Sequence, residues 1–513
     1  MPKKIKGEKV MKMKRTFCLA LALLLIFSVC GCKKKTGDDS EYSVWYEDEI
    51  ISGGKSSKSD KTDSSKSSTG SGKSNTGSKG SGASDKNEQI AESTKLDFGG
   101  KTITLLREWG SYARGKYTTW DNWLNNLEAV EKECNVKIVE KKWSATLAGE
   151  MLAGVKPEGN IYLVSSGEVY SLATKGYIAG LNSAMKKSGI DMTGELFNKF
   201  NTGLNNINGE QYTVGLGFAR VPAVILYNKK VTKDAGYDIA KLVKDGKWTW
   251  DMMTEIAKKT TVRSASGDVS RYGIAFGTTA PAAMAVSNNS HVLYPNSSGK
   301  FELQLSSAGT KEALQQLYDW ANVDKVAEYN WGQKSWTALD EDFASKKVAM
   351  LFAGHSGISA AYNKLTDEYG VAYLPKGPRA SGYVSYLMDE YSYVIPAAYS
   401  DMAADLLVLL SKLHRLPKGY TVDDEFRDEW IRYFKDADAY KMFKTLHDGS
   451  VKQVWDGTNK MAPNAGATTY DSAFGRLFQG ELTPGAFIDT YQSAFKASVN
   501  DSAKKVTYTG PLK

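Results

Sequence analysis

The stretch TITLLREWGSYARGKYTTWDNWLNNLEAVEKECNVKIV, residues 102–139, places an amphipathic segment between two apolar ones. Thr102–Leu106 and Val136–Val139 are short apolar runs typical of buried strands. Asn135 fits the end of a helix, where a left-handed conformation is tolerated. The apolar positions of that helix are Trp120, Trp123, Leu124, Leu127 and Val130. This stretch therefore predicts a strand–helix–strand unit.

The same alternation continues along the chain. Ile161–Val164, Val224–Tyr227 and Val348–Phe352 are further apolar runs, and each precedes a segment with helical spacing. Repeated alternation of this kind predicts an α/β fold in which helices cover both faces of a parallel sheet. Ligands of such sheets bind beyond the carboxyl ends of the strands. The candidate site residues are therefore those that follow the strands.

A long polar segment precedes the folded part. Residues 33–92 are rich in Ser, Gly, Lys and Asp, and they contain too few apolar residues to bury a core. A flexible coil of about 60 residues has a mean reach of roughly 40–45 Å. The short run Tyr42–Tyr46 interrupts this segment and has no evident role. We expect the segment to act as a tether.

The N-terminus is typical of an export signal. Residues 1–15 are basic, and Phe17–Val29 is an apolar run too short to span a bilayer comfortably. It ends in Val29-Cys30-Gly31-Cys32, which resembles the lipobox of bacterial lipoproteins. That resemblance implies cleavage after Gly31 and a lipid on the thiol of Cys32. Cys30 fits less well because Val29 would stand at the cleavage point, and a transmembrane anchor is the alternative.

The cysteines and histidines argue against a disulfide or a metal in the folded part. Of the 4 cysteines in the chain, only Cys134 lies there, which excludes an internal disulfide and a thiolate zinc site. The histidines do not have the spacing of a zinc motif; they are His291, His355, His414 and His447. The net charge of +8 owes much to N-terminal lysines, so it does not predict nucleic-acid binding. We expect no cofactor, no metal and no nucleic-acid partner.

Six short segments of the folded part occur in an order known from one family. They are Gly176–Leu181; Val224–Lys229 with Ala235-Gly236-Tyr237; Thr249-Trp250-Asp251; Tyr272-Gly273-Ile274; Val348-Ala349-Met350; and Tyr369–Ala372 with Leu374–Pro378. With them, the chain from Lys95 onward resembles the extracellular solute-binding proteins of ABC importers, which include maltose-binding protein and other sugar receptors.

The resemblance implies a two-lobed fold of the type II periplasmic-binding-protein kind with a central ligand cleft. The predicted domains are a signal peptide at 1–31, a lipidated linker at 32–92, lobe 1 at 95–217 plus 376–420, and lobe 2 at 218–375 plus 421–513. The chain would cross between lobes near Gly215–Val221 and Tyr373–Arg379. It would be a monomer, anchored by lipid to the extracellular face of the bacterial cell membrane. Its partners would be a sugar, most simply an oligosaccharide, and the permease subunits of an ABC importer.

The candidate ligand-binding residues follow predicted strands or stand near predicted crossings. Arg107 and Glu108 can each bridge sugar hydroxyls, and the indole of Trp109 can stack on a pyranose. The other candidates are Ser165, Ser166, Glu168, Phe218, Arg220, Gly354, His355, Ser356, Asp389, Glu390 and Tyr391. Solvated turns, helix capping and hinge packing are the alternative interpretations of these residues.

Other functional classes were weighed against this one. Gly354-His355-Ser356-Gly357 lacks the G-x-S-x-G spacing of a nucleophile elbow. Asp389 and Glu390 are adjacent on a strand, so they point to opposite faces and could not flank one glycosidic bond. We therefore expect no catalysis. A module that presents its solute to a sensor, and a receptor for a peptide or a polyamine, remain alternatives.

Overall fold

The computed structural model describes residues 90–108, 111–194, 197, 203–215, 220–330, 334–335 and 337–510. Cys32, Trp109 and Phe218, with the predicted signal peptide and most of the predicted tether, lie outside the described residues. Within these ranges no helix combines the length and the apolar character needed to cross a membrane.

The helices of the described residues are short apart from the first and the last. They are α1 (Thr118–Glu133), α2 (Leu147–Leu152), α3 (Ser166–Thr174), α4 (Asn182–Ser188), α5 (Lys229–Asp234), α6 (Ile239–Lys244), α7 (Trp250–Thr260), α8 (Ala280–Ser287), α9 (Ala308–Tyr318), α10 (Ala338–Ala344), α11 (His355–Lys364), α12 (Ala403–Leu413), α13 (Val422–Trp430), α14 (Ala437–Thr445), α15 (Tyr470–Phe478) and α16 (Pro484–Ala503). Asn135, with φ of 46°, follows α1 in the left-handed conformation that the sequence predicts.

Single-turn helices and strands complete the structure. A π turn covers Asp319–Val323, and 3-10 turns cover Ala397–Met402, Ile431–Tyr433 and Gly457–Asn459. The strands are β1 (Thr102–Arg107), β2 (Lys137–Lys142), β3 (Ile161–Ser165), β4 (Asn206–Ile207), β5 (Glu210–Gln211), β6 (Arg220–Pro222), β7 (Val224–Asn228), β8 (Val262–Arg263), β9 (Val269–Phe276), β10 (Leu293–Pro295), β11 (Phe301–Leu303), β12 (Ala327–Tyr329), β13 (Val348–Ala353), β14 (Tyr369–Ala372), β15 (Val384–Val394) and β16 (Lys452–Val454).

The first large sheet has the strand order β16-β15-β3-β1-β2, and β6 also pairs with β15. Strands β2, β1 and β3 are parallel, so their carboxyl ends meet at one edge. Strand β15 runs antiparallel to β3 and places Tyr391 opposite Ser165. Helices α1, α4 and α12 bury apolar residues against this sheet. We call this sheet with its helices lobe 1.

The second large sheet has the strand order β12-β9-β13-β7-β14. Strands β12, β9 and β13 are parallel, and β7 runs antiparallel to both β13 and β14. Helices α7, α8 and α9 pack on one side of its core, and α13 and α14 pack on another. We call this sheet with its helices lobe 2. The two sheets confirm the predicted α/β fold.

Several segments pass from one lobe to the other. β6 pairs with β15, and β7 enters the second sheet two residues later. After β14 the chain stays on lobe 2, where Trp248 Nε1 donates to the carbonyl oxygen of Tyr373 at 2.8 Å and Arg379 donates to Glu312 at 2.8 and 2.9 Å. It then enters the first sheet along β15. A further passage joins α12 of lobe 1 to α13 of lobe 2.

The contact between α7 and β9 leaves no room for a side chain at Gly273. A Cβ atom built there would lie 2.7 Å from the backbone carbonyl carbon of Ala257, which cannot rotate away. We expect Gly273→Ala to lower the free energy of unfolding by about 1–3 kcal/mol, as overpacking does. At Gly382 a Cβ would meet no atom within 4 Å, so Gly382→Ala is the matched control. Urea denaturation measures both, and equal midpoints for the two variants would contradict this packing.

Candidate functional site

Three of the predicted residues meet at the carboxyl edge of the first sheet. Glu108 directly follows β1, and Ser165 ends β3. Tyr391 on β15 is paired in register with Ser165, and its hydroxyl donates to Glu108 Oε2 at 2.7 Å. Strand β15 thus places the Tyr391 hydroxyl next to the carboxylate of Glu108, which is 283 residues away in the sequence. The result is a polar edge at the position where α/β sheets bind their ligands.

Ser165 and Glu168 form the start of helix α3. Glu168 Oε2 lies 3.3 Å from the backbone nitrogen of Ser165 and 3.4 Å from its hydroxyl oxygen, which is the arrangement of a capping box. The capping interpretation therefore accounts for these contacts. Any contact of these residues with a solute stays a prediction.

Arg107 points into the core of lobe 1. Its side chain is 1% exposed and forms an ion pair with Glu140 on β2. Glu140 also accepts a hydrogen bond from Trp123 Nε1 at 3.0 Å. The guanidinium carbon lies 4.4 Å from the centre of the Tyr112 ring, a cation–π contact. Arg107 thus anchors the chain next to Glu108, and its charge is already compensated by protein groups.

The predicted turn of lobe 2 follows β13 and opens helix α11. His355 Nε2 lies 3.3 Å from the Tyr433 hydroxyl, and its ring is edge-on to Trp430 with a centroid separation of 5.2 Å. Burial, with a smaller effect of the Arg432 charge, lowers the pKa of His355 to about 4. The imidazole is therefore neutral at neutral pH.

Ser356 has a different partner from His355. Burial raises the pKa of Asp340 to about 6, and a hydrogen bond from Ser356 opposes that rise. Gly357 lies close by, because a Cβ built there would be 3.0 Å from Asp340 Oδ1. The first turn of α11 thus places the Ser356 hydroxyl against the buried carboxyl group of Asp340 on α10, while His355 faces Tyr433.

Two side chains in the turn after α13, Arg432 and Tyr433, connect the loop after β1 with the turn after β13. The guanidinium carbon of Arg432 lies 3.7 Å from the ring centre of Tyr117 and 4.6 Å from the ring centre of Tyr433. Tyr117 is the last residue of the loop that starts at Glu108. Arg432 Nη2 also donates to the Tyr433 hydroxyl at 3.1 Å, and Tyr433 contacts His355. The loop after β1 and the turn after β13 therefore face the same region from opposite lobes.

Sequence reasoning missed the residues that make this connection. They are Tyr117, Glu429, Trp430, Arg432 and Tyr433. The run EWIRYF at residues 429–434 combines two carriers of charge with aromatic rings, and this composition was the available signal.

The other predicted site residues are described only in part. Ser166 is the first residue of α3. Arg220 on β6 pairs with Glu390 on β15 and Val221 pairs with Asp389, again as backbone positions. Trp109 and Phe218 lie outside the described residues. Across the described part of the chain, no group of three or more His, Cys, Asp or Glu residues could hold a metal ion.

Comparison with known proteins relates the chain to solute-binding proteins. The family described as bacterial extracellular solute-binding protein matches residues 151–408. No curated protein sequence is significantly similar to the chain. Among solved structures, the ABC substrate-binding protein Lmo0181 from Listeria monocytogenes, in complex with cycloalternan, has a TM-score of 0.55 at 17% identity. The match covers 79% of this chain and 98% of that one.

Two other solved structures are similar at the same level. The GacH receptor of Streptomyces glaucescens, solved unliganded and with acarbose, has a TM-score of 0.53 at 16% identity and covers 78% of this chain and 99% of its own. UgpB from Mycobacterium tuberculosis, in complex with glycerophosphocholine, has a TM-score of 0.51 at 15% identity and covers 79% and 96%. At these identities the similarity establishes the fold, which is the two-lobed α/β fold predicted from the sequence.

The environment of His355 is directly measurable. We expect its ring signals in a nuclear magnetic resonance titration to change with a midpoint near pH 4, because burial disfavours the charged imidazole. The His355→Gln spectrum assigns the signals by their absence. A midpoint near the ordinary value of about 6.5 would mean that the ring is open to water, contrary to this geometry.

Proposed function

This chain belongs to the bacterial extracellular solute-binding protein family, and from that premise we propose that it captures a carbohydrate, an oligosaccharide by preference, for an ABC importer. The solute would bind in the cleft between the lobes. The predicted division of the chain between the lobes is part of this proposal, except that residues 376–379 stay on lobe 2 and β16 lies in the sheet of lobe 1. The observation that carries it is the meeting of the β1 loop and the β13 turn through Arg432 and Tyr433. The chain would act as a monomer with permease subunits as partners.

The chemistry of this region suits a sugar. A sugar leaves water only if each buried hydroxyl finds a hydrogen-bond partner and each apolar ring face finds an apolar surface. Glu108 and Tyr391 supply acceptor and donor groups at the edge of lobe 1. Tyr117 and Tyr433 supply aromatic rings from both lobes. This mixture of polar groups and rings supports a carbohydrate over a purely apolar ligand.

The solutes bound by proteins of similar structure support the same choice. Cycloalternan and acarbose are carbohydrates or close relatives of them, and each was captured by a receptor that this chain resembles in fold. Glycerophosphocholine in a third receptor indicates that the fold also accepts other polar solutes. A receptor for a peptide or a polyamine is thus the alternative that the solute screen below tests.

Binding without catalysis is part of the proposal. His355 faces Tyr433, whereas Ser356 is hydrogen-bonded to Asp340. A serine nucleophile needs a base within hydrogen-bond reach, and these contacts pair the serine with a carboxyl group in place of the imidazole. The arrangement therefore supports a binding surface.

The anchor is the second part of the proposal. The family is extracellular, and Val29-Cys30-Gly31-Cys32 after the apolar run supports attachment through lipid on Cys32. The polar segment that follows would hold the folded part near the membrane and leave it free to turn.

Solute binding is tested first with a thermal-shift screen against a panel of di- and oligosaccharides, polyamines and short peptides, since a ligand of the folded state raises its stability. Calorimetry with a sugar that binds then compares variants. We expect Glu108→Gln to weaken binding about tenfold or more, because it removes a charge-assisted hydrogen bond. Trp109→Ala should weaken it about 5- to 150-fold through loss of ring stacking.

The matched control is Glu158→Gln, which removes a surface carboxylate paired with Lys141 on the same lobe. It should leave the affinity unchanged. Wild-type affinity in both Glu108→Gln and Trp109→Ala would remove the loop after β1 from the site. Binding of a polyamine or a peptide with no response to any sugar would overturn the carbohydrate assignment.

The anchor is tested by fractionation. Cys32→Ala should release the protein from membranes or leave it unprocessed, because the thiol that accepts the lipid is gone. Cys30→Ala is the control and should stay anchored and cleaved. The assignment would be contradicted if the Cys30→Ala protein were released from membranes while the Cys32→Ala protein were processed and stayed on them.

A further inference from the structure

A side-chain contact outside the sheets joins the two lobes at α13. This helix buries Phe426 and Trp430 in the core of lobe 2. Glu429 directly precedes Trp430, so it lies on the face of the helix beside the buried one. Glu429 Oε2 accepts a hydrogen bond at 2.6 Å from the hydroxyl of Thr119 in the first turn of α1, which belongs to lobe 1. That face of α13 is thus turned toward lobe 1.

Two lobe 1 residues are held by an ion pair of lobe 2. Glu429 Oε1 accepts from Arg432 Nη2 at 3.0 Å, and Arg432 covers the ring of Tyr117 at 3.7 Å. The side chains of Arg432 and Glu429 are 19% and 24% exposed, so salt screens them less than a surface pair. We call Tyr117, Thr119, Glu429 and Arg432 the interlobe latch.

The latch differs from the backbone passages between the lobes. It consists of side chains only, so it can open without breaking a strand or a helix. It is also connected to the loop that carries Glu108: the Tyr117 ring contacts Trp120 at 4.7 Å, and Trp120 contacts Tyr112 at 5.0 Å. Tyr112 lies against Arg107, the residue before Glu108. Movement at the latch therefore reaches the predicted solute site.

We propose that the interlobe latch sets the balance between a compact and an open arrangement of the two lobes. The proposal adds regulation to the solute site proposed above. It rests on that function only for its biological meaning, because the lobe arrangement can be measured without any solute.

The arrangement of the lobes can be measured by double electron–electron resonance. Spin labels at Lys132→Cys on α1 of lobe 1 and Lys441→Cys on α14 of lobe 2 report the separation of the lobes, since both lysines are exposed. The full chain is used with Cys18, Cys30 and Cys32 changed to Ser, and Cys134 is buried. We expect Glu429→Gln to lower the ratio of compact to open forms about three- to tenfold.

Two further variants secure the test. Asp423→Asn removes a carboxylate from the same helix that pairs with Lys444 on α14, within lobe 2, and should leave the distances unchanged. Thr119→Val removes only the hydroxyl that reaches Glu429, so it tests the latch even if Glu429→Gln fails to fold. Wild-type distance distributions in Thr119→Val and in a folded Glu429→Gln would overturn the latch.

Because these measurements contain no sugar, their failure leaves the solute proposal standing, and a failed sugar screen leaves the latch standing.

Discussion

The sheet of lobe 1, and the passage of the chain into it from lobe 2, depend on the backbone pairing of the eleven-residue strand β15. Its first residues pair with β16 and β6, and its last four pair with β3. The pairing sets a register, and a slip of one residue would turn every side chain of the strand to the opposite face. Tyr391 would then leave Glu108. The polar edge of lobe 1 and the passage between the lobes are thus consequences of one ladder of hydrogen bonds.

Much of this fold could be predicted from local pattern. The apolar runs at Thr102–Leu106, Ile161–Val164 and Val348–Phe352 became central strands, because a strand covered on both faces must be apolar throughout. The rule that ligands bind at the carboxyl ends of strands also led to Glu108 and Ser165, which lie at one edge of the first sheet. The spacing of apolar residues carries this information directly, so tertiary contacts were not needed to see it.

The rest required contacts between distant residues. Whether Arg107 faces solvent or core depends on Glu140 on the neighbouring strand, and nothing at position 107 reveals that partner. The contact between Thr119 and Glu429 joins residues 310 positions apart, so no local pattern could show it. Candidate residues after a strand can therefore be proposed from sequence, but their orientation is decided by the neighbours that folding supplies.

The buried pair of Arg107 and Glu140 also bears on how this receptor can change over generations. Replacing one partner by an apolar residue leaves the other as an uncompensated charge in the core, which costs about 3–5 kcal/mol, whereas replacing both is often neutral or favourable. Since a domain is stable by only about 5–15 kcal/mol, the single-step intermediates are poorly tolerated. The two positions are therefore expected to be inherited together. New solute preferences should arise at neighbours such as Glu108, whose replacement strands no charge in the core.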